Sequence, residues 1–521
     1  MLSPLALRCQ RSFLYYIYLL LEFAKAIEKK VEYTANKRRS TMKFETLVKQ
    51  LKYTVLREVA KDYWEGDLWD KRIDIPKRIS PGPKATRRCC IYKERAIVAE
   101  RIKLALGGDK NNPSLLEVIE SACDQCPFGG RQVTDLCRGC LAHRCAEACP
   151  KNAISFDDNY HAHINKDVCI NCGLCAKACQ FGAIANRRRP CEAACKINAI
   201  HAREDGISEI NYDACTECGA CSSACPFGAI RDKSYITKCI DILKNPENDG
   251  HIYAIIAPSI AAQFAPAKLG QVLTGIKKLG FSRIYEAALG ADLVAYNESK
   301  ELSEEGFAIS SCCTAFVNYI HKAFPELVEK ISKNLSPMAA RCKAIKEKDP
   351  LAKTVFIGPC IAKKKERFKE ESAPYVDNVI TFEELEALLG ARQIEVEKLE
   401  ESPIDDASYF GRIFAHSGGL SDAVNEALKE QNSDFVVKPV KASGLDQCKL
   451  NLNRIKKNTF QGNFLEGMAC CNGCIGGPGC LTHQLSDQAK IDRFSKTSTI
   501  PTIKSAIEKS GIASDISSIK K

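Results

Sequence analysis

The sequence predicts a multidomain chain of α+β and α/β character, with a row of small cysteine-rich repeats ahead of a larger α/β domain. Three observations predict it. Sixteen of the 29 cysteines fall between residues 121 and 232. Four Ala-Ile endings (Ala153-Ile154, Ala183-Ile184, Ala199-Ile200, Ala229-Ile230) recur in that stretch, as an internal repeat would make them. From Tyr253 onward, apolar strand-like runs (Tyr253–Ala257, Thr354–Ile357) alternate with helical patterns such as Phe382–Leu389.

With 521 residues, 45% hydrophobic and 27% charged, the chain can form two or three cored domains and is neither disordered nor fibrous. Secreted disulfide scaffolds reach this cysteine density only in short chains, so here it points to metal. Thiolate ligation in turn requires a reducing compartment. The net charge of +11 reads first as solvated basic surface and second as a docking field for an acidic partner. No recognition motif accompanies the charge, which argues against nucleic acid.

Residues 1–41 differ in texture from the rest. Phe13–Leu21 (FLYYIYLLL) is apolar, follows Arg8 and Arg11, and precedes Ala24-Lys25-Ala26. This is like a secretory signal, but it is too short to span a membrane. The alternative is that translation starts at Met42, and it is favoured because the remaining chain needs cytoplasmic cofactor chemistry. The expected location is the cytoplasm, with no membrane partner. Residues 42–120 read as helical, with Leu47, Leu51, Val55 and Val59 at helical spacing and Pro76, Pro81 and Pro83 marking an irregular stretch. The adjacent pair Cys89-Cys90 reads as ordinary core or surface cysteine.

Residues 121–235 form the cysteine-rich domain. Two runs have the form C-x2-C-x2-C-x3-C: Cys169, Cys172, Cys175, Cys179, and Cys215, Cys218, Cys221, Cys225. This is the bacterial ferredoxin pattern, in which three cysteines hold one cubane and the fourth crosses to its twin. A looser run is Cys137, Cys140, Cys145, Cys149. The crossing rule gives one [4Fe–4S] cluster to Cys137, Cys140, Cys145 and Cys179, and another to Cys169, Cys172, Cys175 and Cys149. Cys191-x3-Cys195 keeps only the end of a run, with Ala185 and Arg188 where two cysteines would stand. Cys195 completes the cluster of Cys215, Cys218 and Cys221. Cys191 and Cys225 are then two ligands short, and Cys123-x2-Cys126 can supply them for a fourth cluster. Zinc is the alternative for an isolated pair such as Cys123/Cys126, but not for the full runs.

Residues 236–521 carry three separated motifs: Ser310-Ser311-Cys312-Cys313-Thr314, Gly358-Pro359-Cys360-Ile361-Ala362-Lys363-Lys364-Lys365-Glu366, and Glu466-Gly467-Met468-Ala469-Cys470-Cys471-Asn472-Gly473-Cys474 followed by Ile475-Gly476-Gly477-Pro478-Gly479. Together and in this order they resemble the three signatures of the [FeFe]-hydrogenase catalytic domain, over about residues 250–480, and the ferredoxin-like repeats before them fit the same family.

The resemblance implies ferredoxin-like 4Fe–4S repeats followed by an α/β H-cluster domain. It implies an H-cluster, a [4Fe–4S] cubane joined to a diiron unit carrying CO, cyanide (CN) and a dithiolate bridge. Cys313, Cys360, Cys470 and Cys474 would hold the cubane, with Cys474 bridging to the diiron unit. Cys312 would be the thiol that relays protons, although outside the motif it reads as a small buried hydrophobe. Lys363 would pair with a cyanide, whereas Lys363-Lys364-Lys365 taken alone is a solvated charge run. Ala257-Pro258-Ser259 and Met468 would line the diiron unit. Glu298, Glu301 and Ser332, after Gly290-Ala291-Asp292, match a proton route to Cys312. The implied activity is reversible reduction of protons to H2, with ferredoxin or a similar soluble carrier and hydrogenase maturation proteins as partners of a monomer.

The sequence also departs from the family pattern. The first motif continues as Thr314-Ala315-Phe316, Gly358 replaces a methionine, Met338 stands where a glutamine is usual, and the third motif ends Gly-Gly-Pro-Gly. These changes resemble the subgroup called group B. Rival readings are a non-catalytic iron–sulfur assembly protein, an electron-transfer protein, and an H2 sensor. Retention of Cys312, Lys363, Glu298 and Pro258-Ser259 argues against the first.

Overall fold

The computed structural model describes residues 44–124, 126 and 129–511. The apolar run Phe13–Leu21 and the alternative start at Met42 lie outside the described residues. Among the described residues, no helix is long and apolar enough to cross a membrane.

Helices Leu47–Glu65, Leu68–Lys71, Ile75–Ile79 and Ile91–Ala105 come first. In the first of them Val55, Leu56, Val59 and Ala60 form the buried stripe that 3.6-residue spacing demands. Lys52 is buried on the same helix because its ammonium finds two carboxylates, Asp232 Oδ1 at 2.6 Å and Glu383 Oε2 at 2.7 Å. Cys89 and Cys90 are exposed, and Cys90 Sγ caps helix Ile91–Ala105 by accepting from Lys93 N–H. Helical structure gives way before residue 120, where β1 (Leu116–Val118) begins the cysteine-rich part.

Two modules of one topology follow, one inside the other. In the inner module β2 (Gly130–Val133) pairs antiparallel with β5 (Ile184–Arg187), enclosing the hairpin of β3 (Ile154–Phe156) and β4 (Ala162–Ile164). In the outer module β1 pairs antiparallel with β8 (Ile230–Asp232), enclosing the hairpin of β6 (Ile200–Ala202) and β7 (Ser208–Ile210). The inner module is inserted between β1 and β6. The four Ala-Ile endings are the same corner repeated. Ala153, Ala183, Ala199 and Ala229 are buried, and their N–H groups donate to Cys149, Cys179, Cys195 and Cys225 Sγ at 3.3, 3.4, 3.1 and 3.3 Å. The residue before each alanine (Asn152, Gly182, Asn198, Gly228) has a positive φ, which explains why only Gly and Asn occur there.

The remaining chain builds two parallel sheets. The first has the order β10–β9–β12–β13, from β9 (Ile252–Ile256), β10 (Arg283–Glu286), β12 (Lys353–Gly358) and β13 (Asn378–Thr381). The second has the order β11–β15–β14, from β11 (Ala308–Ile309), β14 (Pro439–Ser443) and β15 (Phe464–Met468). Every residue of β9 and β15 is buried; β9 reads as a continuous apolar run and not as an alternation, whereas β15 carries the buried Glu466. Helix Ala287–Glu305 is buried on most of its surface, and Asp292, Glu298 and Glu301 go inside with it. Chain reversals after β9, β11, β12 and β15 bring Ala257-Pro258-Ser259, Cys312-Cys313, Cys360 and Cys470 to the carboxyl ends of parallel strands, where such sheets place their sites.

Candidate metal centres and active site

The inner module brings its cysteines together in crossed sets. After burial itself, Cys179 and Cys140 raise the pKa of Cys145, whereas Cys169 and Cys149 raise that of Cys175. Cys137 packs with Cys145 and Cys179 in the module's small core. In the outer module Cys221 is pushed well up by burial and then by Cys218, Cys215, Cys195 and Cys191. Cys126 is raised by burial and then by Cys225, with Cys123 and Cys191 adding to it. Cys172 is exposed.

These neighbours explain the incomplete run. Cys123-x2-Cys126 and Cys191-x3-Cys195 are two halves of one run, parted by the inserted module between Cys126 and Cys191. The two absent cysteines are therefore upstream of the insertion and not at Ala185 and Arg188. Among the described residues, no three Cys, His, Asp or Glu side chains converge on a single metal ion. Cubane ligands do not need to, since each thiolate binds a different iron. Polar donors already face the sulfurs: Ser208 N–H lies 3.3 Å from Cys123 Sγ, and Ser208 Oγ lies 3.6 Å from Cys191 Sγ. The donor set thus suits cubanes in all four places.

A fifth set lies in the two-sheet domain. Cys470 is pushed well up by burial, then by Cys360, Cys313, Cys218 and Cys474. Ala469 N–H donates to Cys313 Sγ at 3.5 Å. Cys218 belongs to the outer module, so that module's thiols adjoin this set directly. Beside it is a cavity of about 80 Å³, lined by Ala257, Pro258, Ser259, Cys312, Met338 and Phe356 together with Lys363, Met468 and Cys474. The wall is largely apolar, and Ser259 Oγ, fully buried, has no partner among the described residues. Lys363 Nζ reaches Cys312 O at 3.4 Å and Glu366 Oε2 at 2.6 Å. A largely apolar chamber that has one ammonium and one orphan hydroxyl among its described lining residues fits a small anionic group carrying neutral ligands.

The thiol of Cys312 is buried, and its burial, followed by Glu298 and Cys313, raises its pKa so that it keeps its proton. Behind it runs a buried polar file. Glu298 Oε1 accepts from Ser311 N–H at 3.3 Å, and the Ser332 hydroxyl beside it favours the charged carboxylate. Ser332 Oγ donates to Glu301 Oε2 at 2.7 Å. Burial pushes the Glu298 carboxyl up to about 8, and Glu301 adds to the rise. The carboxyl therefore holds a proton at neutral pH and can pass it on.

Three participants were not legible in the sequence. Glu366 carries no mark in its motif beyond being acidic, yet it is buried and accepts from Lys363, Thr314 and Ser336. Burial opposes its charge, but Lys363 outweighs that and holds its carboxyl below the usual range. Asn334 Nδ2 donates to Glu301 Oε2 at 2.8 Å and to Ser332 Oγ at 2.9 Å. Phe356 fills space that Gly358 leaves: a Cβ at Gly358 would stand 2.5 Å from the Phe356 ring. Lys364 is also no solvated lysine, since its fully buried Nζ donates to Asp232 Oδ2 at 2.8 Å and Glu384 Oε1 at 2.9 Å.

Residues 250–478 match the family described as iron only hydrogenase large subunit, C-terminal domain. Residues 136–183 match the 4Fe-4S dicluster domain, and 208–231 the 4Fe-4S binding domain. Iron hydrogenase 1 of Clostridium pasteurianum is 27% identical over 317 residues, 50% of this chain and 55% of that protein. The chain thus spans about half the length of that relative. Cytosolic Fe-S cluster assembly factor NAR1 of Candida dubliniensis is 33% identical over 140 residues, 22% of this chain and 24% of that protein. A solved structure of apo [FeFe]-hydrogenase HydA1 from Chlamydomonas reinhardtii aligns at TM-score 0.42 with 19% identity, covering 51% of this chain and 89% of that one.

Proposed function

Because the chain is an [FeFe]-hydrogenase-like protein with 4Fe–4S domains ahead of its hydrogenase domain, we propose that it catalyses the reversible reduction of protons to H2. Electrons would come from a reduced soluble carrier, ferredoxin or one like it, through the accessory clusters. The observation that carries the reading is the single cavity lined by Ser259, Cys312, Lys363, Met468 and Cys474, with the file Glu298–Ser332–Glu301 behind it.

Cys313, Cys360, Cys470 and Cys474 would hold the cubane, and Lys363 with Ser259 would hold the ligands of the diiron unit. When bound, that group supplies the redox centre at which protons and electrons combine. The chain's own residues do the rest. Lys363, fixed by Glu366, anchors an anionic ligand by a charge-assisted hydrogen bond. Ala257, Pro258, Met338 and Met468 exclude water. Glu301, Ser332 and Glu298 move a proton inward in steps, and the Cys312 thiol presents it to the cavity. Maturation proteins would supply the diiron unit in a reducing cytoplasm.

The similarity to NAR1 keeps an iron–sulfur assembly role in view. Such a role needs cubane ligands, but it gives no use to Lys363 and an orphan Ser259 lining one largely apolar cavity. Infrared spectra of anaerobically matured protein, under argon and then H2, test the proposal. Sharp CO and cyanide bands that shift under H2 are expected. Absence of those bands in protein with a full cubane complement, beside a working maturation control, would sink it.

A further inference from the structure

Two buried arginines, Arg101 and Arg231, have no acidic partner among the described residues. Arg101 and Arg231 are 5% and 6% exposed, and both line one internal cavity with Lys52 and Asp232. Both Arg101 Nη2 and Arg231 Nη2 crowd Gly228, three residues after Cys225: a Cβ there would lie 2.8 and 2.7 Å from them. Arg101 Nη2 donates to Gly228 O at 2.8 Å and to Phe227 O at 3.3 Å. Arg88 reaches Phe227 O from another side at 3.2 Å. Arg101 Nε, Arg231 Nε and Arg231 Nη2 have no hydrogen-bond partner among the described residues.

The carboxylates nearby are engaged elsewhere. Asp232 is held by Lys52 and Lys364. Glu94, on the Arg101 helix, accepts from the backbone N–H groups of Thr86, Arg87 and Arg88. The charged groups acting most on Arg101 are Arg231, Arg88, Cys225 and Arg87, and after burial the two nearest arginines push its pKa down to about 9. Like charges buried together without a counter-ion are strongly unfavourable, so something anionic is missing from the account. Cys225 points to where it belongs. A cubane with four thiolates is an anion in both oxidation states, and more negative when reduced.

We propose that Arg101 and Arg231 are the buried counter-charges of a fourth accessory [4Fe–4S] cluster held by Cys123, Cys126, Cys191 and Cys225, and that they raise its reduction potential. The inference rests on the cluster reading above but not on the H2 chemistry. Cations beside a cluster favour its reduced form, because net charge is one of the terms that sets its potential. The cluster adjoining Cys191 and Cys221 would then hold an electron next to the last accessory cluster, ready for the cavity.

The test is an EPR-monitored redox titration with iron analysis on anaerobically matured full-length protein. Four accessory cubanes are expected, and Cys191→Ser should remove one signal and so identify it. At a fixed ambient potential, Arg101→Gln should lower the reduced-to-oxidised ratio of that cluster tenfold or more, which for one electron is 59 mV. Arg101→Lys should keep most of the wild-type value. If Arg101→Gln does not fold, Arg231→Gln is titrated by the same criterion. Only three accessory cubanes, with H2-responsive infrared bands intact, would overturn the proposal while leaving the hydrogenase reading standing. An unshifted potential in a cluster-replete Gln variant would overturn it as well.

Discussion

The Lys363 ammonium sits 2.6 Å from Glu366 Oε2, and both side chains are buried. Two more donors, Thr314 Oγ1 and Ser336 Oγ, close on the same carboxylate. Glu366 thus fixes the one cation that lines the chamber wall and keeps it charged. Glu366→Gln leaves that cation without its partner. Removing one partner of a buried pair costs about 3–5 kcal/mol. The denaturation midpoint of Glu366→Gln should fall accordingly, and its cyanide bands should shift. A midpoint within 1 °C of wild type, with unmoved bands, would mean that Glu366 does not position Lys363.

Ser332 Oγ donates to Glu301 Oε2 at 2.7 Å and lies beside the Glu298 carboxyl. Ser332→Ala removes the hydroxyl between them and should reduce H2 turnover by about 10²-fold, the lower end for losing a positioned proton carrier. Cluster content and infrared bands should stay as in wild type. Cys312→Ala should abolish most turnover in the same way. Unchanged turnover in either variant would take that residue out of the route.

Asp292 is fully buried and engaged by Ser408 through N–H at 2.9 Å and Oγ at 2.5 Å. Burial pushes its carboxyl up to about 8, far above the usual carboxylate range. Its folded state therefore binds a proton more tightly than its unfolded state. The stability this contributes is complete below the unfolded pKa, and it is lost as pH rises through the folded one. Asp292→Asn should flatten the decline in thermal stability between roughly pH 4 and pH 8. Parallel pH profiles for wild type and variant would contradict the assignment.

Iron removal should act unevenly. The inner module has a small core, in which Cys145, Ala162, Cys175 and Ile184 are the buried members, and its sheets are two-stranded. Such a unit leans on its metal for folding free energy. A chelator under reducing conditions should expose the amides of residues 130–187 to hydrogen exchange well before those of β9 and β12, which lie in a four-stranded sheet. Simultaneous exposure of both regions would refute this order.

The strands at Ile252–Ile256 and Lys353–Gly358 and the helix at Phe382–Ala391 appear where their apolar patterns put them. Those patterns are local, and a buried parallel strand or a helix face writes its period directly into the chain. The charged residues misled by the same logic. Lys364 looks like one of three solvated lysines, because a partner such as Asp232, far away in the chain, leaves no trace beside it.

By itself the sequence determined the cysteine spacings that suit cubanes and the three motifs in their order. Ligand spacing is set by the shape of a short loop, so it survives in one dimension. Only the tertiary structure decided how distant pieces close. Folding joins Cys123 and Cys126 to Cys191 across an inserted module, sets Glu366 under Lys363, and gathers Arg101 and Arg231 beside Cys225. These relations arise from chain topology and from the cost of burying charge, and both act between residues whose separation along the chain is arbitrary.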